Sequence, residues 1–310
     1  MSNGAGTQSI LFTAPGAINL TGGTGAILNT APKGNRGNIF AAGGIQVIAG
    51  DVSANNPNIT LTGGASGGNT GLSATNLGNA AFLQNASGTQ LVSAGAIQLF
   101  GGAAGVDNSA TILAPTQTMN ATSLAITGGG NTGNFSGARM GGVGGAAPGQ
   151  TNLTLTTIGD VTLTGGSGSI AAIWSSGAGG QATTITITSS GNVTLTPGSV
   201  GTARIGSPSA SVAGGDISIT AGGSITLNGT GAVGTSIRTT GNVTLAGGAS
   251  QLILEDTAGV IQAASLTTTS AGGTTLSGVN QVSSFQATNT TSGSIVLNNA
   301  SPTLAIAGIS

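Results

Sequence analysis

The sequence predicts an all-β fold: a single-stranded parallel β-helix with three strands per coil and about ten coils. Three observations predict it. A phrase returns, as GDVTLTGG from Gly159, GNVTLTPG from Gly191, GSITLNG from Gly223 and GNVTLAGG from Gly241. The first three copies begin 32 residues apart, and a fixed step of that size marks stacked repeat units. Within each run, aliphatic residues alternate with Thr, Ser or Asn, the period of a half-buried strand. No helical period interrupts this alternation.

The elements follow in chain order. In the N-terminal half the register is loose. Ile18 and Leu20 recur as Ile45 and Val47, a step of 27, and Ile97 and Leu99 recur as Leu124 and Ile126 at the same step. Ile59 and Leu61 mark a further strand between them. The stretch from Gly128 to Gln150 reads as a glycine-rich excursion from one corner, because strand phrases resume on both sides of it. Residues 1–310 are therefore read as one continuous solenoid.

The middle of the chain is regular. Leu153 and Leu155 map onto Ile185 and Ile187, then onto Ile217 and Ile219. Val161 and Leu163 map onto Val193 and Leu195, then Ile225 and Leu227, and Ile173 maps onto Ile205 and Ile237. Three aliphatic runs per unit mean three strands per coil. Stacked at roughly 4.8 Å, about ten coils make a rod about 50 Å long. The corner after the third strand accepts insertions: SPSASVAGG separates Ile205 from Ile217, whereas Ile237 and Val243 are almost directly joined. After Leu254 the pattern continues with irregular spacing through Ile261, Leu266, Leu276, Val282, Ile295, Leu297, Leu304 and Ile306.

At one corner Asp160, Asn192 and Ser224 form a column, each after a glycine. Such residues bond their own backbone in tight bends, and Gly159, Gly191 and Gly223 would supply permissive backbone.

Composition narrows the function. Aromatic residues are 2%, so the core must be narrow and aliphatic. Charged residues are 4%, against about 25% in ordinary domains, and the net charge is −1. Electrostatic capture of nucleic acid needs a basic footprint that this chain lacks. Without Cys, disulfides and thiolate metal sites are excluded. No apolar run reaches the length of a membrane-spanning helix. No signal peptide is visible, and the final phrase ASPTLAIAGIS runs into Ser310, which reads as a cut through a repeat of a longer secreted chain.

Catalytic chemistry has little to work with, since His and Tyr are absent. Asp160 and Asp216 each open a Gly-Asp-aliphatic corner on different strands, which reads as turn chemistry rather than an acid–base pair. Glu255 and Asp256 read as a solvated corner, with a weak Ca²⁺ site as the alternative. GGGNTG at Gly128 is followed by no helix, so it is not read as a phosphate loop. The sequons at Asn58 and Asn120 matter only in a glycosylating host. No catalytic residue, cofactor or metal is expected.

Two surfaces remain as candidates. Thr154 with Thr156, Thr186 with Thr188, Thr162 with Thr164, and Thr194 with Thr196 form outward hydroxyl–methyl ladders. Ser218 and Thr220 continue the first of these faces, whereas the other is read as decaying to Thr226 with Asn228 and then Thr244 with Ala246. Thr is a favoured outward strand residue, but the arrays leave an ice-binding solenoid open as an alternative. The second candidate is a patch of Arg204 and Arg238 near the sole tryptophan, Trp174, which keeps a polysaccharide-binding β-helix open.

The phrases GNIFAAGGIQVIAG, GDVTLTGG, GNVTLTPG and VNQVSSFQATNTTSGSIVLNNASPTLAIAGIS resemble the filamentous-haemagglutinin-type large exoproteins of Gram-negative bacteria. The resemblance is one of repeat style over most of the chain. It implies a right-handed β-helix, secreted or held at the cell surface, that serves as adhesin, fibre or biofilm-matrix component. The family's Asn-Pro-Asn-Gly-Ile phrase is matched only in part, by Asn55-Asn56-Pro57-Asn58-Ile59. The expected partners are further copies of the chain, end to end or side by side, or the remainder of a longer exoprotein, with surface carbohydrate as an additional partner. A non-enzymatic structural or adhesive solenoid is the expectation.

Overall fold

A computed structural model describes residues 6–27, 35–69, 78–133, 136–142, 151–175, 183–208, 212–229, 232–249 and 251–310. Among them, 27 strands join a single hydrogen-bonded sheet, and every register pairing between strands is parallel. The sheet is wound as three faces. The first face runs from Thr7–Phe12 through Ile45–Gly50, Thr89–Ser93, Thr116–Ala121, Asn152–Thr157, Ile185–Ser189, Ile217–Ala221 and Asn242–Ala246. The second runs from Ala17–Thr21 through Asn58–Thr62, Ala96–Phe100, Ser123–Thr127, Val161–Thr164, Val193–Thr196, Ile225–Leu227 and Ile253–Glu255. The third runs from Gly37–Ala41 through Ala81–Asn85, Ala110–Leu113, Ala138–Met140, Ala171–Trp174, Ala203–Gly206 and Thr235–Arg238. The fold is a parallel β-helix.

Alternation places every second side chain inside, so each face contributes two inner rows. The second face stacks Ile59, Ile97, Leu124, Val161, Val193, Ile225 and Ile253 in one row, and Leu61, Leu99, Ile126, Leu163, Leu195 and Leu227 in the other, all closed off from solvent. The third pairs a row of small residues, Ala81, Ala110, Ala138, Ala171 and Ala203, with a row of large ones, Leu83, Ile112, Met140, Ile173, Ile205 and Ile237. Small beside large lets three faces close on a narrow interior. Each buried Leu or Ile contributes about 1.5–3 kcal/mol relative to exposure.

The first face departs from an aliphatic core. Gln8, Gln46, Gln90 and Gln117 occupy successive rungs of one inner row and are buried. Gln46 Nε2 donates to Gln8 Oε1 at 2.6 Å, Gln90 Nε2 to Gln46 Oε1 at 2.6 Å, and Gln117 Nε2 to Gln90 Oε1 at 2.8 Å. The row then turns apolar at Leu153 and stays so through Ile185, Ile217 and Val243. The ladder satisfies amides that would be costly to bury singly, except at its end, where Gln117 Oε1 faces the apolar rung of Leu153 without a partner.

The coils change length along the rod. Equivalent residues on the first face are 38 apart at Gln8 and Gln46, 44 apart at Gln46 and Gln90, and 27 apart at Gln90 and Gln117. The middle coils hold at 32, and Asp216 and Asn242 stand 26 apart. Beyond this the corners shrink. Val260–Ser270 passes from the third face to the first as one bent strand, and Thr274–Asn289 visits all three faces.

Four local readings change. Ile18 and Leu20 lie opposite Ile59 and Leu61 on the second face, whereas Ile45 and Val47 lie opposite Thr7 and Ser9 on the first. Two phrases of the same alternation on different faces produce the misleading step of 27. For the same reason the fourth phrase, at Gly241, belongs to the first face: Val243 pairs with Ile217 and Thr244 with Ser218. The glycine-rich stretch after Gly128 is more than an excursion, because it contains the third-face strand Ala138–Met140; its residues 134–135 and 143–150 lie outside the described residues, as does Lys33.

The fourth change concerns the corner. Asp160 Oδ1 accepts a hydrogen bond from the backbone N–H of Asn192 at 2.7 Å, and Asn192 Oδ1 accepts one from Ser224 N at 2.9 Å. These side chains cap the next coil, not their own backbone. Gly159, Gly191 and Gly223 are absent from the positive-φ positions of the described chain, so conformational freedom is not their role. A Cβ on Gly191 would sit 2.3 Å from Asp160 Oδ1, and one on Gly223 would sit 2.3 Å from Asn192 Oδ1. The glycine leaves room for the previous coil's cap.

Candidate functional site

Placing the fourth phrase on the first face lengthens its outer hydroxyl rows. Thr118, Thr154, Thr186, Ser218, Thr244 and Thr267 stand in register on six consecutive rungs. Beside them run Asn120, Thr156, Thr188, Thr220, Ala246, Thr269 and Thr288. Neighbours along a row are set by the strand spacing of about 4.8 Å, and the two rows by two residues of strand, about 6.7 Å. Neither row contains a charged side chain. Thr154, Thr156, Thr188, Thr220, Thr244 and Thr269 are exposed.

The second face carries a shorter array. Thr162, Thr194 and Thr226 stack outward, but Leu254 follows, and Thr60, Gln98 and Ala125 precede. Thr164 and Thr196 are opposite each other, and Asn228 Nδ2 donates to Thr196 Oγ1 at 2.9 Å. This face is therefore irregular outside and the first face is the uniform one.

The third face gathers the cations. Arg36 precedes its first strand and lies 5.6 Å over the Phe82 ring. Arg139 lies 5.1 Å over the ring of Trp174, and burial pulls its guanidinium down to about 10. Trp174 is 6% exposed, so it offers no open stacking platform to a sugar. Arg204 and Arg238 follow on the next two rungs and are half-buried. Arg204 Nη1 donates to Pro208 O, and Nη2 reaches Thr202 Oγ1 at 3.4 Å. Desolvation first, and the nearby Arg238 charge second, lower Arg204 to about 10.

The remaining candidates separate. Asp160 and Asp216 cap different corners, Asp216 Oδ1 accepting from Asn242 N at 2.8 Å, so they do not form a pair. GGGNTG is the turn between second and third faces. Its Asn131 is buried, and Nδ2 donates to Asn108 O at 2.7 Å. Glu255 is not in a solvated corner. It occupies the inner second-face row between Leu227 and Leu276 and is 3% exposed. Burial pushes its carboxyl above the usual carboxylate range, against the opposing hydrogen bonds from Asn280 and Gly278. Among the described residues no cluster of three His, Cys, Asp or Glu could hold a metal. No helix of the described chain is long and apolar enough to cross a membrane.

Two features escaped the sequence reading. The buried glutamines had a signal, since each is followed two residues later by an inner apolar residue: Ile10, Ile48, Val92 and Met119. The buried asparagines Asn79, Asn108 and Asn131 form a corner ladder, in which Asn79 N donates to Asn108 Oδ1 at 2.9 Å; they are hidden by unequal spacing. Compared with protein-family models, curated proteins and solved structures, the chain finds no match in any of the three.

Proposed function

We propose that the protein is a non-enzymatic structural or adhesive β-solenoid, a stiff segment of a surface fibre or matrix. One observation carries the reading: parallel ladders run without a break from coil to coil and present uncharged Thr, Asn and Ser to the outside. The resemblance of its phrases to filamentous-haemagglutinin-type exoproteins adds an extracellular or cell-surface setting in a Gram-negative bacterium, with export and display as part of a longer polypeptide.

Its proposed partner is a second copy of itself. The N-terminal end of the first outer face is apolar: Leu11 is 58% exposed, Ile45 44% and Leu91 37%. Leu91 lies opposite Val47, so the patch crosses adjacent coils. With so little charge on the chain, repulsion does little to keep two such patches apart. Light scattering over a concentration series, with electron microscopy of the concentrated sample, tests this. Assembly that falls in a Leu11→Ser/Ile45→Thr/Leu91→Thr variant supports the reading. A wild-type monomer at every concentration, without filaments, contradicts it. Turnover of any member of a polysaccharide panel would contradict the non-enzymatic assignment.

The length and regularity of the first-face Thr rows favour a second reading, an ice-binding surface. A flat lattice of hydroxyl and methyl groups orders water in two dimensions. Thermal hysteresis at micromolar protein, abolished by Thr186→Lys, is the result this reading predicts; none in the wild type removes it.

A further inference from the structure

The outward positions of the first face are graded along the rod. At the N-terminal end Leu11, Ile45 and Leu91 are exposed, and half-buried Val47 stands between Ser9 and Leu91 in the central outward column. From Thr118 onward that column is hydroxylic, through Thr154, Thr186, Ser218, Thr244 and Thr267. The far end has no apolar counterpart, since Thr267 and Thr269 are followed by Gln286 and Thr288. Among the described residues, Asp216 is the one charged side chain at an outward position of this face, and it stands at the edge.

Two copies can set these faces together in three ways. Overlapped only at the apolar ends, with the rods pointing apart, each copy would cover about 200 Å², far below what a stable interface needs. Overlapped fully and antiparallel, Leu11, Ile45 and Leu91 would lie on Thr and Gln side chains of the far end. Overlapped fully and parallel, each copy would cover a strip about 50 Å long and about 13 Å wide. The two strips together bury about 1,300 Å², within the range of stable interfaces.

Parallel overlap about a twofold axis along the rod also matches the side chains. The central column meets its own copy, so Val47 lies on Val47 and Leu91 on Leu91. The edge columns exchange. Ile45 meets Ala49 of the second copy, because the two flank Val47 on one strand. Asp216 meets Thr220 in the same way, so the two carboxylates do not face each other.

We infer that two copies pair side by side and parallel through the whole first face, with the twofold axis along the rod. This pairing rests on the self-association proposed above and gives it an orientation and an extent.

The test uses the full chain, labelled away from the contact. Gln98, Thr194 and Thr275 share one outward column of the second face, spaced by about 14 Å. Each is replaced singly by Cys and spin-labelled, and pulsed electron paramagnetic resonance gives the distance between copies in the assembled sample. Parallel pairing predicts the same distance at all three positions. Full antiparallel overlap would separate the Gln98 and Thr275 labels along the rod by about 29 Å from their copies while leaving Thr194 level. End overlap would give distances that rise from Gln98 to Thr275. Either pattern overturns the inference but leaves self-association standing, whereas a monomer at every concentration overturns both. A second measurement is the dissociation constant from light scattering. Thr186→Lys sets two like charges on the axis and should weaken pairing about tenfold or more. Thr194→Lys, the same charge on the second face, should leave it unchanged. If circular dichroism shows Thr186→Lys unfolded, Thr154→Lys, one rung earlier in the column, replaces it. Unchanged pairing in the folded first-face variant, or equal weakening by Thr194→Lys, also overturns the inference.

Discussion

Asn280 Nδ2 donates to Glu255 Oε2 at 2.7 Å, and both side chains are closed off from solvent inside the solenoid. Gly278 N adds a second bond to the same oxygen at 3.1 Å. Glu255 Oε1 is buried and has no partner. The carboxyl therefore replaces an aliphatic rung with half of its bonding capacity unmet, a costly arrangement when ionised.

This arrangement makes stability depend on pH in a defined sense. The folded-state pKa of Glu255 is raised by burial. Its contribution is therefore fully present below the ordinary glutamate pKa and is lost as pH rises through the raised folded value. The melting temperature should fall between pH 4 and pH 8, and Glu255→Gln should flatten that fall and be the more stable protein at pH 8. Asn280→Ala removes a bond to the carboxyl and should cost about 1–3 kcal/mol, more at pH 8 than at pH 4. Thermal melts across that range check both.

The glutamine ladder predicts non-additivity. Gln90→Leu strips Gln46 Oε1 of its donor from the next coil and Gln117 Nε2 of its ladder acceptor. It should destabilise by about 2–4 kcal/mol, since Gln46 Oε1 loses its donor and Gln117 Nε2 keeps only the Ile112 carbonyl. Replacing Gln8, Gln46, Gln90 and Gln117 together by Leu extends the apolar row that begins at Leu153 and should recover most of the loss. Urea denaturation of the single and fourfold variants measures it.

The corner predicts a specific coupling. A Cβ on Gly191 collides with the Asp160 carboxylate. Gly191→Ala should therefore destabilise the wild type by more than it destabilises Asp160→Ala, in which the oxygen is gone. Asp160→Ala alone should cost about 1 kcal/mol, the value of a side-chain cap on a backbone N–H. A double-mutant cycle with a coupling near zero would contradict the steric account.

These particulars also show how far the sequence could be read. The coils around Leu163 and Leu195 were legible because their corners are equal in length, which holds the step at 32. The N-terminal coils were not, because corner insertions stretch them to as many as 44 residues. A local phrase of inward aliphatic and outward Thr residues is common to the first and second faces, so it cannot say which face it joins. Thr244 is the instance: its neighbour Ser218 is fixed by pairing across 26 residues. Glu255 was misread because its burial depends on Asn280, 25 residues further on. Arg204 and Arg238 stand on consecutive third-face strands, and Trp174 on the strand before them is buried, which the sequence pattern of that face does not reveal.

The continuous outer ladder of the first face rests on the placement of that fourth phrase, and a pair of cysteines tests it directly. The chain contains no native Cys. Facing residues on adjacent parallel strands lie within the Cα range that a disulfide spans. Under oxidation, Ser218→Cys/Thr244→Cys should close to a disulfide, and Thr226→Cys/Leu254→Cys should do the same on the second face. Thr226→Cys/Thr244→Cys should stay open. Closure of that last pair, with Ser218→Cys/Thr244→Cys remaining reduced, would place the phrase on the second face and contradict the account.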